Sequence, residues 1–498
     1  MTEGSDRQST GDRRGPRQRS ATAPSQRTRR AEPTRFAAYT LLRAVAEGAY
    51  ANLELPSILR RHHLEGRNAA FATELAFGTI RWQAFYDAVI VEAAGRPIAR
   101  IDPQVLDVLR LGAHQLLGMR VAMHAAADQT VGLSKVVAGA GAGGFVNAVM
   151  RRISERTLEE WQEAVVPDGP GVAALAVRHS HPEWVVTTLR AALLGHGRAT
   201  PETVDAELTA LLESDNVPPQ VHLVARPGLS TVEELVEEAD QGEVSALSPL
   251  GVVLGGGDPG AVAAIRQGRA SVQDEGSQLL AIALARAEVG PDVPMRWLDL
   301  CAGPGGKAGV LGALAVEAGA DFTAIEVTPH RADLVRTTLS ALTRYAVTRG
   351  RTIEVRTADG RAVGEDEPAA YGRVLVDAPC TGLGALRRRP EARWRRQPSD
   401  VAGLAPLQRA LLASALDAVA PGGVVGYATC SPHLAETRFV VSDVVKKRSD
   451  VEVVDARGLF VDAAGEPVEG LGDGPYVQLW PHVHGTDAMF FALIRKTG

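Results

Sequence analysis

From Pro33 to about Ile153 the apolar positions recur at helical spacing. Ala38, Leu41, Leu42 and Val45 fall at i, i+3, i+4 and i+7, one stripe of a 3.6-residue repeat, and Gly48 is placed to end that helix. Asp102-Pro103 opens another, with an acceptor at the N-cap and a residue that needs no N–H partner at the first helical position; Val105, Val108, Leu109 and Gly112 share its face. Helical patterns over 71–92, 125–137 and 144–153 complete an all-α region with enough residues for its own core. From Ser154 to about Gly268 the pattern is mixed: His181-Pro-Glu-Trp starts a helix, 207–214 makes another and 220–226 alternates like a strand. From Ala270 onward short apolar strands at 297–300, 322–325, 352–355, 374–376 and 424–428 alternate with helical stretches. That alternation predicts an α/β domain with a doubly wound, mostly parallel sheet and right-handed crossovers. Segments 476–480 and 488–494 read as a final strand pair joined by the Gly485-Thr-Asp turn.

Composition narrows the class. The 498 residues, 45% of them hydrophobic, imply several globular domains. No apolar run reaches the length of a membrane span. The N-terminus is polar and arginine-rich where a secretory signal would be apolar, so a cytoplasmic protein is expected. Three widely spaced cysteines fit a reducing compartment and argue against a disulfide framework. His482 and His484 are too close together and too isolated to predict a metal site, and none is expected. The net charge of −6 confines any nucleic-acid binding to local patches. One such patch is the tail with Arg13, Arg14, Arg17, Arg19, Arg27, Arg29 and Arg30, a solvated extension or a weak phosphate-binding arm. The other is the run 387–396, where six arginines surround Trp394, a composition suited to phosphate contacts and base stacking.

The chemistry-bearing residues cluster at the predicted strand ends. The first strand runs into Cys301-Ala302-Gly303-Pro304-Gly305-Gly306-Lys307 and then an apolar helix, so backbone N–H groups at a helix N-terminus face any ligand. Glu326 follows the next strand, where an acid holds a ribose hydroxyl in dinucleotide-type sites. The spacing is neither Walker A nor GxGxxG, and S-adenosylmethionine is the cofactor it predicts. Gly139-Ala-Gly-Ala-Gly-Gly144 has no preceding strand and reads as an inter-helix turn. Asp359 follows the third strand, Asp377-Ala-Pro-Cys380 the fourth and Thr429-Cys430-Ser431 the fifth, which delivers acids and two thiols to one crevice. The expected cofactor contacts are thus Cys301 through Lys307, Glu326, Asp359 and Asp377.

In this order the motifs resemble the RNA cytosine-C5 methyltransferase family. Gln273-Asp-Glu-Gly-Ser-Gln278 resembles the segment that leads into that family's catalytic domain, and Leu479-Trp-Pro-His-Val-His-Gly-Thr-Asp487 its C-terminal strand region. The helical region, with Phe145-Val-Asn-Ala-Val-Met-Arg-Arg152, is similar to the NusB-like RNA-binding domain of the Sun/RsmB branch, which acts on small-subunit (16S) ribosomal RNA. The resemblance covers about Pro33 to Lys496. It implies that Cys430 is the nucleophile adding to carbon 6 of cytosine and that Cys380 assists product release. It further implies that Asp377 hydrogen-bonds the cytosine edge, that Lys307 faces the active site, and that Cys301 contributes backbone to the cofactor loop. An RNA substrate, no membrane partner and a monomeric state are expected.

Two departures stand out. Ala302-Gly303 replaces a frequent Ala-Ala, and Ala435-Glu436-Thr437 replaces a frequent Glu-Glu-Asn, which weakens any orienting role for the first of those acids. The expected division is a disordered arginine-rich tail (1–32), a NusB-like helical RNA-binding domain (33–160), an α/β connector (161–269) and a Rossmann-like methyltransferase domain (270–498). Rival readings are the same chemistry on transfer RNA and a non-catalytic RNA-binding factor. DNA cytosine methyltransferases use the Pro-Cys thiol and have no need of Thr-Cys-Ser, and amino-group methyltransferases carry a different motif after the fourth strand.

Overall fold

The structure, a computed structural model, describes Met1 and residues 31–498. The arginines of the tail, expected to form either a solvated extension or a weak phosphate-binding arm, lie outside the described residues.

The first region is all helical: Pro33–Ala46, Ala51–Arg61, Gly66–Arg81, Gln83–Ala94, Pro103–Leu117, Met123–Val137 and Ala142–Ile153. Leu41, Leu75, Val89, Val108, Leu109, Val146 and Met150 meet in one core. Asp102 caps its helix as its position predicts, its Oδ1 accepting from the N–H groups of Gln104 and Val105. The single helix expected over 71–92 is two, broken at Trp82. The cause is tertiary: Ser180, nearly a hundred residues on, accepts the Ala84 N–H at 3.0 Å and caps the second helix. Gly139 supplies the left-handed turn, φ 86°, before the last helix of this core.

Four helices (Leu158–Val165, Val172–Arg178, Glu183–Gly195 and Val204–Ser214) lead into a small antiparallel sheet. Its strands are β1 (Val221–Ala225), β2 (Glu243–Val244), β3 (Gly251–Leu254) and β4 (Ala270–Val272), in the order β2-β3-β1-β4. The last strand lies beyond residue 269 because it pairs with β1, Leu223 opposite Val272.

The large sheet contains β5 (Arg296–Asp299), β6 (Asp321–Glu326), β7 (Ile353–Thr357), β8 (Tyr371–Asp377), β9 (Val419–Thr429), β10 (Val451–Val454), β11 (Val477–Gln478) and β12 (Phe490–Lys496). Its order is β10-β12-β9-β8-β5-β6-β7, with β11 paired to β12. The five strands β5 to β9 are parallel, and β12 enters antiparallel beside β9. The expected hairpin at the C-terminus is interrupted by a helical turn, Pro481–His484, before Gly485. Helices Glu275–Arg286, Gly306–Glu317 and Pro329–Thr348 bury one face of the sheet, and Pro398–Ala418 with Arg438–Val445 bury the other. Strand order reverses between β5 and β8, so the crevice for a ligand opens at their C-terminal ends.

The arginine run 387–396 departs from its expected role. Most of it is a latch between the helical region and the large sheet. Arg393 is fully buried and donates to the carbonyls of Ser180 (3.0 Å) and Asp215 (3.1 Å) and to Asn216 Oδ1 (2.8 Å). Trp394 donates to the Ile80 carbonyl (2.6 Å), Arg395 to that of Ala49 (3.0 Å), and Glu391 accepts the Ala51 N–H (3.3 Å). Arg387 reaches Asp274 at 3.3 Å, and Arg388 grips both oxygens of Asp487. A buried guanidinium must find acceptors, and here carbonyls of distant helices supply them.

Candidate active site

Three strand ends build the site. After β5 the chain turns through Cys301–Gly305 into the helix Gly306–Glu317, with Gly305 at φ 112°. A Cβ on Gly303 would lie 2.2 Å from Glu326 Oε2, so the loop crosses directly over the carboxylate that ends β6. An alanine at this position would require the ends of the Glu326 and Arg331 side chains to swing aside. Glu326 is buried, accepts the Thr328 N–H at 3.0 Å and lies 3.4 Å from Arg331. Asp299, at the end of β5, accepts the Cys301 N–H through Oδ1 (3.2 Å), while its Oδ2 is buried with no hydrogen-bond partner among the described residues. Burial first, then the charge of Asp377, pushes the Asp299 carboxyl up to about 7.

Asp359 behaves differently from the acids around it. Its carboxylate is half-exposed and gripped by Arg361 of its own turn, which holds it below the usual carboxylate range. The structure brings it to the end of β7 without joining it to Asp299, Glu326 or the loop.

Lys307, in the first turn of its helix, places Nζ 2.9 Å from Asp377 Oδ2 at the end of β8. Burial opposes its charge, but Asp377 and Cys430 outweigh it and keep the ammonium protonated. Strands β8 and β9 are neighbours in register, Asp377 opposite Ala428, and the loops that leave them bring Cys380 Sγ to 3.4 Å from Cys430 Sγ. The two sulfurs have unequal surroundings. Cys430 is pulled below the ordinary thiol range, chiefly because Cys380 donates to it, with Lys307 and Arg389 adding positive charge. Cys380 is pushed well above that range by its neighbour thiolate, by burial and by the charges of Glu436 and Asp377. Cys301 is pushed up as well, by burial and then by Asp299, Asp377 and Glu326.

The sequence reading undervalued Glu436. It is fully buried and accepts from the Thr381 N–H (2.8 Å), Thr381 Oγ1 (2.5 Å) and Ser431 Oγ (2.6 Å). One carboxylate therefore ties the residue after Cys380 to the residue after Cys430. Its signal was an acid five positions beyond Ser431, visible only as an imperfect match to a familiar pattern. Gly384 was missed altogether. Its N–H donates to the Cys430 carbonyl at 2.9 Å, and a Cβ there would lie 2.0 Å from the Ala488 carbonyl. Beneath both loops, Asp274 accepts the Asp487 N–H at 3.2 Å, which joins the segment before the catalytic sheet to the C-terminal strand region. Among the described residues no group of three or more His, Cys, Asp or Glu could hold a metal ion. No described helix is long and apolar enough to cross a membrane.

Comparison with known proteins follows this division of the chain. A family profile described as 16S rRNA methyltransferase RsmB/F matches residues 288–495, and one described as the NusB family matches 32–155. A Mycobacterium tuberculosis protein whose name goes no further than methyltransferase is 51% identical over 474 residues, covering 94% of this chain and 98% of that one. The ribosomal RNA small subunit methyltransferase B of Pseudomonas syringae is 31% identical, over 93% of this chain and 96% of its own. The crystal structure of PH0851 shares the fold, with a TM-score of 0.73 at 22% identity over 93% of this chain and 99% of its own. The paired thiols, the glycine loop and the helical region ahead of them thus sit in a chain that belongs to the RsmB/F family of methyltransferases, with a NusB domain at its N-terminus.

Proposed function

We propose that this protein methylates carbon 5 of a cytosine in RNA, with small-subunit ribosomal RNA as the substrate, through a covalent bond between Cys430 and carbon 6. The observation that carries this reading is the pair of unequal sulfurs 3.4 Å apart at the ends of adjacent strands. A single nucleophile would need no second thiol at that distance. The relatives named for small-subunit ribosomal RNA and the NusB match support the choice of RNA.

The residues present fit S-adenosylmethionine. The partnerless Oδ2 of Asp299 is a buried acceptor awaiting a cationic or N–H donor, and Glu326 beneath Gly303 is an acceptor for ribose hydroxyls. Residues Cys301 through Gly306 would cradle the cofactor with backbone, Lys307 and Asp377 would border it, and Asp359 would reach it only by releasing Arg361. When bound, the cofactor supplies an electrophilic methyl group on a sulfonium.

The chain's own residues do the rest. The Cys430 thiolate adds to carbon 6, the 5,6 double bond opens, and carbon 5 becomes nucleophilic. Asp377, oriented by Lys307, hydrogen-bonds the cytosine edge and steadies the charge drawn into the ring. Cys380 is held protonated by its hydrogen bond to Cys430, by burial and by the charges of Glu436 and Asp377, and bonding Cys430 to carbon 6 removes the first of these. Once Cys380 has passed its proton to solvent, its thiolate takes the proton from carbon 5, the electron pair of that C–H bond reforms the 5,6 double bond, and the bond from Cys430 to carbon 6 breaks to release a thiolate.

The test is a trapping experiment with 16S ribosomal RNA transcribed with 5-fluorocytidine. Wild type forms a denaturation-stable complex, Cys430→Ala forms none, and Cys380→Ala accumulates the complex even on unfluorinated RNA. A complex that survives Cys430→Ala but not Cys380→Ala overturns the assignment.

A further inference from the structure

The arginine run 387–396 contains one residue that the latch leaves out. Arg387, Arg388, Arg393, Arg395 and Arg396 all donate to carboxylates or carbonyls. Arg389 is exposed, and its guanidinium makes no hydrogen bond and no ion pair among the described residues. Glu391, two residues on, is buried; its Oε1 accepts the Ala51 N–H, and its Oε2 feels the charge of Arg389 without a hydrogen bond to it. Among the described residues the aromatic ring that the Arg389 guanidinium meets is that of Tyr50, 5.9 Å from its centroid.

Tyr50 comes from the helical region, just ahead of the helix Ala51–Arg61, and is 40% exposed. Its place is set by the latch: the Ala51 N–H is capped by Glu391, the Ala49 carbonyl is held by Arg395, and the Arg395 guanidinium stacks 4.5 Å from the same ring. A cation over an aromatic face is oriented without losing its donors. Those donors, five in a rigid fork, match a phosphate. The location is also specific, since Arg389 follows Arg388, whose partner Asp487 lies beneath the two cysteine loops, and its charge acts on Cys430.

We propose that Arg389, steadied by Tyr50, binds the phosphodiester backbone of the RNA strand beside the target nucleotide, so that the helical domain completes the mouth of the active site. This rests on the RNA-methyltransferase reading above. It divides the arginine run into residues that join the domains and one that receives the substrate. A flipped cytosine at Cys430 needs its flanking backbone held, and a phosphate contact fixes register without reading sequence.

The test is the salt dependence of binding, measured by fluorescence anisotropy with a labelled single-stranded, cytidine-rich RNA of about 20 nucleotides, longer than one binding site of this kind. Each phosphate contact contributes about one counterion to the slope of log Kd against log salt. Arg389→Ala should lower that slope by about one and weaken binding about fivefold to tenfold near 50 mM salt. Arg389→Lys should keep the slope. Tyr50→Ala should weaken binding about threefold, and Tyr50→Phe, which keeps the ring, should match wild type. Thermal melting of each variant checks that these surface changes leave the fold intact. An Arg389→Ala protein with the wild-type slope overturns the proposal. If wild type binds with an Arg389-dependent slope but transfers no methyl group to any RNA, the docking site stands and the methyltransfer reading falls. If wild type binds no RNA, both fall.

Discussion

The loop after β5 and the loops after β8 and β9 each present a partly exposed cysteine, yet they prepare sulfur for opposite ends. Around Cys301 stand Asp299, Asp377 and Glu326, and the thiol packs against the core on one face of the sheet. Around Cys430 stand a thiol donor, Lys307 and Arg389, which outweigh burial and the charge of Asp377, and it packs against the core on the other face. Burial and acids hold a proton on sulfur, while donors and cations release it. Similar exposure therefore says little about a thiol's reactivity, and the donor and charges within reach separate the two. The same contrast runs through the arginine segment, where Arg393 is buried as a structural strut and Arg389 is left open.

The sharpest way to break the cysteine comparison is substitution. Cys430→Ala should lower methyl transfer by at least about a thousandfold, the scale expected for loss of a covalent nucleophile. Cys301→Ala should stay within about fivefold of wild type, because it removes one partly exposed sulfur and no charge. Site-resolved alkylation with iodoacetamide checks the cause. Cys430 should label at a pH below the ordinary thiol range and Cys301 only well above it, and Cys380→Ala should shift the Cys430 midpoint upward by removing its donor. Equal labelling of Cys301 and Cys430 at neutral pH would erase the distinction.

A second, smaller effect concerns Glu436. Glu436→Ala leaves the Thr381 N–H and two hydroxyls without their acceptor, at a cost on the order of 3 kcal/mol in stability. Thermal or denaturant melting reads that loss. Methyl transfer should also drop, because the loops are then joined only by the Gly384 N–H to the Cys430 carbonyl and by the Thr381 and Ser431 hydroxyls. Unchanged melting would mean that the loops are held from elsewhere.

A third effect, seen only as pH is changed, belongs to Asp299. Its folded-state carboxyl is raised from 3.8 to about 7, so the folded state holds the proton more tightly than the unfolded chain does. Stability from this group is greatest below about pH 4 and falls as pH rises towards 7. Asp299→Asn should flatten that part of the stability profile, measured by melting at a series of pH values. A profile unchanged by the substitution would show that the carboxyl is not desolvated.

Much of this was legible beforehand because it is local. Helical stripes, the Asp102-Pro103 cap, the strand–glycine–helix turn and the acids and thiols at strand ends all follow from spacing that a short window contains. What escaped depends on partners far along the chain. The break at Trp82 needs Ser180, the latch needs carbonyls more than 150 residues away, and Glu436 matters because Thr381 and Ser431 meet there. Asp359 is the local exception: its partner Arg361 is two residues on, and spacing alone does not show that this arginine takes the carboxylate.

By itself, then, the order of motifs determined the α/β architecture, the helical region before it and the set of residues able to do chemistry, since each is written in local periodicity and residue type. Which thiol gives up its proton, and which arginine stays open to substrate, was decided only by tertiary structure. Charge acts through space, and only the folded chain sets the distances across which it acts.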